Sequence, residues 1–68
     1  MTAEEMTDTF IEKLKSYIEL GLPKNVSEIT AAADVVRIWK GDVSDPFQLD
    51  RDTRIVMAVV DAFIWRKN

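Results

Sequence analysis

The sequence predicts an all-α domain, a compact bundle of three principal helices at about 3–20, 28–40 and 51–66, with a short extra turn near 46–49. Three observations predict it. Helix start and stop residues punctuate the chain at regular intervals. Between them, apolar residues recur with the helical period rather than alternating as in a half-buried strand. The one strand-like stretch, 55–65 (IVMAVVDAFIW), is rich in Val, Ile, Phe and Trp, yet it lacks period-2 alternation and is long for a strand.

Helix 1 opens on Thr2-Ala-Glu-Glu5, the pattern of a capping box, and Glu4, Glu5 and Asp8 lie where the helix dipole favours negative charge. Gly21 and Pro23 form its stop signal. At 100° per residue, Ala3, Met6, Phe10, Ile11, Leu14, Tyr17 and Ile18 fill an arc of roughly 140°, opposite Glu4, Asp8, Glu12, Lys15 and Glu19. That is an ordinary amphipathic helix with one buried stripe.

Helix 2, with Ser27 as the expected cap and Gly41 as the stop, is greasier. Ile29, Ala31, Ala32, Ala33, Val35, Val36, Ile38 and Trp39 spread over roughly 220° and leave Thr30, Asp34 and Arg37 as a narrow polar strip. Helix 3, with Asp50 as its expected cap, repeats this: Ile55, Val56, Met57, Val59, Val60, Ala62, Phe63 and Ile64 also cover roughly 220°. Its expected outward face is Arg54, Ala58, Asp61 and Trp65. Asp45-Pro46 is a cap-plus-first-turn pair and supplies the extra turn.

Length and composition set the limits. Residues 1–68 make a single domain, and a chain of 7.8 kDa buries only roughly 60% of its unfolded surface. No cysteine is available for a disulfide, and no His/Cys set for structural zinc, so oligomerisation is the remaining reinforcement. The net charge of −3 is the wrong sign for a general nucleic-acid binder. No signal peptide is expected at the acidic start, and stretch 55–65 is shorter than the ~20 apolar residues a bilayer span takes, so no membrane partner is expected. Absence of cysteine fits a cytoplasmic address.

No catalytic, cofactor-binding or metal site is expected. Without histidine or cysteine, the commonest general base and the strongest nucleophile are missing, and both glycines read as helix stops rather than a phosphate loop. Asp42, Asp45, Asp50 and Asp52 invite a calcium reading, but a loop started at Asp42 puts Phe47 where the EF-hand needs glycine and Thr53 where it needs glutamate.

The two wide apolar arcs therefore carry the functional reading: a non-enzymatic adaptor, regulator or inhibitor that works by protein–protein contact as a homodimer. The expected interface is Val35, Ile38, Trp39, Met57, Asp61, Ile64 and Trp65. Trp39 lies at the edge of its arc, where partial core burial is expected, whereas Trp65 shares a face with Asp61 and Arg54, as an interface anchor would. The first alternative is a dimeric DNA-binding transcriptional regulator contacting phosphates through Arg37, Lys40, Arg51 and Arg54. Against it, helix 3 offers few polar side chains for base edges. The second alternative is a structural subunit of a larger assembly.

Overall fold

The computed structural model describes residues 1–67, with side chains through Arg66. Three helices, α1 (Ala3–Glu19), α2 (Lys24–Lys40) and α3 (Pro46–Lys67), each pack against the other two. The all-α bundle is as the sequence predicts; two of its helix starts are not.

At the start of α1 the capping box is complete. The Glu5 amide donates to the Thr2 hydroxyl at 3.2 Å, and the Thr2 amide donates to the Glu5 carboxylate at 3.1 Å. The hydrogen bond from the Thr2 amide, and after it the Thr2 side chain, holds the Glu5 carboxyl below its ordinary value. At the other end Gly21, at φ +93°, takes the left-handed conformation that residues with a side chain rarely adopt. Its amide donates to Ile18 O at 2.9 Å, and that of Leu22 to Tyr17 O at 3.2 Å, the two bonds of a Schellman stop.

Helix α2 begins four residues earlier than expected, and Ser27 is not its cap. Pro23 occupies the cap position at φ −56°, and its carbonyl accepts the Ser27 amide at 2.9 Å to close the first turn. Ser27 is instead fully buried, its hydroxyl donating back to Leu22 O at 3.3 Å. It continues along α2 as Ala31, Ala32, Val35 and Val36, a run of small and β-branched side chains with no exposed surface.

Helix α3 begins at Pro46, so the expected extra turn is its first turn and Asp50 is not its cap. The Asp45 carboxylate accepts the Phe47 amide at 3.0 Å and its carbonyl accepts the Leu49 amide at 3.0 Å. Pro46 gives up only an amide that has no helical partner at that position, and nothing between 47 and 51 breaks the helix. Asp50 lies within α3 and pairs with Arg54 at 3.3 Å.

The core is Met6 and Phe10 from α1, Ala31, Ala32, Val35 and Val36 from α2, and Val56 and Val60 from α3. Ile11, Leu14, Tyr17, Trp39, Leu49 and Met57 pack around it. The buried threonines satisfy themselves locally: Thr7 donates to Ala3 O and Thr53 to Leu49 O.

Candidate interaction surface

Helix α3 sets the geometry. Its buried face is Asp52, Thr53, Val56 and Val60, and its opposite face is Phe47, Arg51, Arg54, Ala58, Asp61 and Trp65, all exposed. The expected outward residues Arg54, Ala58, Asp61 and Trp65 do face outward. At 78% and 73% exposed, Phe47 and Trp65 carry the most accessible aromatic surface of this helix, one near each end. Two aromatics left this open in so small a chain amount to apolar area that water covers poorly.

Beside that row lies an open groove of about 500 Å³, lined by Phe10 and Leu14 of α1, Glu28 of α2, and Met57, Ala58, Val60, Asp61 and Ile64 of α3. It brings three of the expected interface residues together, Met57, Asp61 and Ile64, with Trp65 one turn beyond Asp61. Glu28 and Asp61 make no ion pair among the described residues.

The other expected interface residues separate from this set. Val35 is 0% exposed and belongs to the core, a correction with a simple cause: it points between Ala31 and Trp39 at the centre of the buried face of α2, not at its margin. Ile38 is 58% exposed but lies near the end of α2 that meets α3 at Asp52, away from the groove. Trp39 is half-buried against the core as expected, with the Lys40 ammonium 4.7 Å from its ring centre. Sequence reasoning placed Phe47 outside helix 3 and so missed it. The available signal was Asp45-Pro46, a helix start already in phase with residues 51–66.

Three of the four candidate phosphate contacts have carboxylate partners within the chain. Arg37 meets Asp34 at 3.2 Å, Arg54 meets Asp50 at 3.3 Å, and Lys40 reaches the buried Asp52 at 3.0 Å. Arg51 has no such partner among the described residues. Of the aspartates in 42–52, Asp45 caps α3, Asp50 pairs with Arg54 and Asp52 pairs with Lys40, so they point to three separate tasks. The second oxygen of Asp52 is buried without a hydrogen-bond partner among the described residues.

Between α1 and α2, the Tyr17 hydroxyl donates to the Asp34 carboxylate. That hydrogen bond, then partial burial and the negative charge of Asp34, raise the Tyr17 pKa above its ordinary value of 10.0, and Arg37 opposes the rise.

No family model, curated protein or solved structure matches this chain. Among the described residues no helix is long and apolar enough to cross a membrane.

Proposed function

We propose that the chain is a small non-enzymatic helical module, an adaptor, regulator or inhibitor that acts by protein–protein contact and pairs with a second copy of itself. One observation carries the reading: the outward face of α3 holds two widely exposed aromatics on a side of the helix that no other described part of the chain covers. Burying one such side chain is worth about 1.5–3 kcal/mol, a large fraction of the stability of a domain this size. Light scattering on a sizing column, over a concentration series, tests it. The expected mass is about twice 7.8 kDa, and a well-folded monomer at every concentration would overturn the self-pairing.

The DNA-binding reading stands second because Arg51 and Arg54 both face outward on one helix, with Arg51 in no ion pair among the described residues. Counterion release makes phosphate contacts strongest at low salt, so the informative condition is about 50 mM. We expect no retardation of duplex DNA there; a sequence-selective shift lost in Arg51→Ala with Arg54→Ala would put this reading first. Membership of a larger assembly would use the same exposed surface and stands third.

A further inference from the structure

The outward face of α3 is complementary to itself. Phe47, Arg51, Arg54, Ala58, Asp61 and Trp65 are spaced 4, 3, 4, 3 and 4 residues apart, the 3.5-residue repeat that keeps one line of side chains facing a partner helix. They lie opposite the buried residues Val56 and Val60, so neither α1 nor α2 stands in front of them. Laid antiparallel on a second copy about a two-fold axis at position 56, the line meets itself in matched pairs. Phe47 falls opposite Trp65, Arg51 opposite Asp61, and Arg54 opposite Ala58, each pair occurring twice.

We propose that two copies of the chain pair through α3, antiparallel and in this register. The proposal rests on the self-pairing put forward above and specifies its geometry. Aromatic meets aromatic at both ends, where such residues anchor interfaces. In the middle, the small Ala58 side chain leaves room for the stem of Arg54 to lie across it, as long cationic side chains do on apolar surface. Arg51 and Asp61 carry opposite charge, and among the described residues neither has an ion-pair partner of its own. Ile55 and Met57 fall on the two flanks close to the axis, each beside its own copy.

Charge and the matching of aromatics disfavour the competing arrangements. A parallel pair in register sets Arg51 against Arg51, Arg54 against Arg54 and Asp61 against Asp61. Slipping the antiparallel pair by one heptad in one direction puts Arg51 against Arg54; in the other it sets Arg54 against Trp65 and Ala58 against Asp61, and so parts both the aromatic pair and the Arg51–Asp61 pair. Like charges directly opposed disfavour a register, and this is a common device for choosing one. The exposed corner of Leu20, Leu22, Val26 and Ile29 carries no such ordering of charges, so α3 is the surface that names its own occupant.

Charge reversal tests the register. We expect Arg51→Asp alone and Asp61→Arg alone each to weaken self-association roughly tenfold or more, since each puts like charges opposite one another twice. The double variant should recover most of the loss. Both positions are exposed, so circular dichroism should report unchanged helix content in all three. Because the chain has no cysteine, cross-linking gives an independent measure. An equimolar mixture of Gln48→Cys and Ala62→Cys should oxidise to the mixed dimer by mass spectrometry, and neither variant should cross-link to itself. A wild-type dimer that ignores the single reversals, or a Gln48→Cys protein that links to itself, overturns the register and leaves the self-pairing standing. A wild-type chain that is monomeric throughout overturns both.

Discussion

Helices α1 and α3 arrange their apolar residues in contrasting ways. In α1, Met6 and Phe10 are buried, Ile11, Leu14 and Tyr17 pack around them, and water meets Glu4, Asp8, Glu12, Lys15 and Glu19. In α3 the polarity is partly inverted. Asp52 and Thr53 lie buried beside Val56 and Val60, while Phe47, Ile55 and Trp65 are exposed. A helix of the first kind is accounted for largely by its own core, with the half-exposed Ile18 near its end as the exception. A helix of the second kind forgoes apolar burial inside and carries apolar surface outside, the pattern on which the proposed self-pairing rests. Under the proposed self-pairing, α1 serves folding while α3 serves folding and contact.

The largest expected effect sets the two inner faces equal. Phe10→Asp and Val56→Asp should each unfold the chain at 25 °C, because an unpaired charge in the core costs several kcal/mol and a domain of this size holds only about 3–10 kcal/mol in total. Far-ultraviolet circular dichroism reads this directly. Retained helix content in Val56→Asp would mean that the buried face of α3 is not part of the core.

The outer faces should then differ. Glu12→Ser on α1 should move stability by no more than about 0.5 kcal/mol. Trp65→Ser should leave the helices folded but weaken self-association by about 2 kcal/mol, the usual loss for a tryptophan anchor. For the wild type, the melting temperature should rise with protein concentration, since dimerisation stabilises by mass action. A Trp65→Ser chain with the wild-type concentration dependence would reduce the contrast between α1 and α3 to composition alone.

Much of that contrast was legible in the residues. Helix periodicity, the Thr2 capping box and the Gly21 and Gly41 stops follow from local chemistry, and the outward placement of Arg54, Ala58, Asp61 and Trp65 follows from counting 100° per residue. What escaped was tertiary. Ser27 has the chemistry of a cap, but the bundle needs a small buried side chain there and Pro23 can begin the helix without it. Asp50 likewise fits a cap, yet Asp45-Pro46 starts the helix five residues sooner. Val35 could not be assigned to core or surface from an arc of roughly 220°, because only the positions of α1 and α3 decide which part of that arc is covered. The groove beside α3 draws Phe10, Leu14 and Glu28 from two other helices, a meeting that no local pattern encodes.

Within α3 a third contrast separates two aspartates only two positions apart. Asp50 pairs with Arg54 on the surface, both side chains more than half exposed, so Asp50→Ala should cost about 0–1 kcal/mol. Asp52 is 4% exposed, and its one oxygen with a partner is held by Lys40. Lys40→Ala removes that partner and leaves a buried carboxylate unsatisfied, which should cost about 1–3 kcal/mol. Chemical denaturation of the two variants gives the comparison. Equal costs would mean that water reaches Asp52 as freely as Asp50.

The smallest expected effect concerns α1, through its link to α2. Tyr17 donates to Asp34, and a donor must keep its proton to make that bond. Its pKa is accordingly raised above 10.0, with the hydrogen bond as the main cause. By linkage, a group whose pKa is higher folded than unfolded binds its proton more tightly in the folded state. Its contribution to stability is whole below pH 10.0 and is lost as pH rises through the folded value. Ionisation would then set a phenolate against the Asp34 carboxylate, with Arg37 near enough to soften the repulsion. The loss should appear as a fall in melting temperature on the alkaline side of pH 10, and Tyr17→Phe should flatten that limb while lowering stability modestly at pH 7. No residue of α3 makes a matching tyrosine contact, so the alkaline change should loosen the α1–α2 contact before it reaches the outward face of α3. Amide hydrogen exchange followed across the same pH range distinguishes the two. If protection in α3 is lost first, the tyrosine–carboxylate bond is not what limits the fold at high pH.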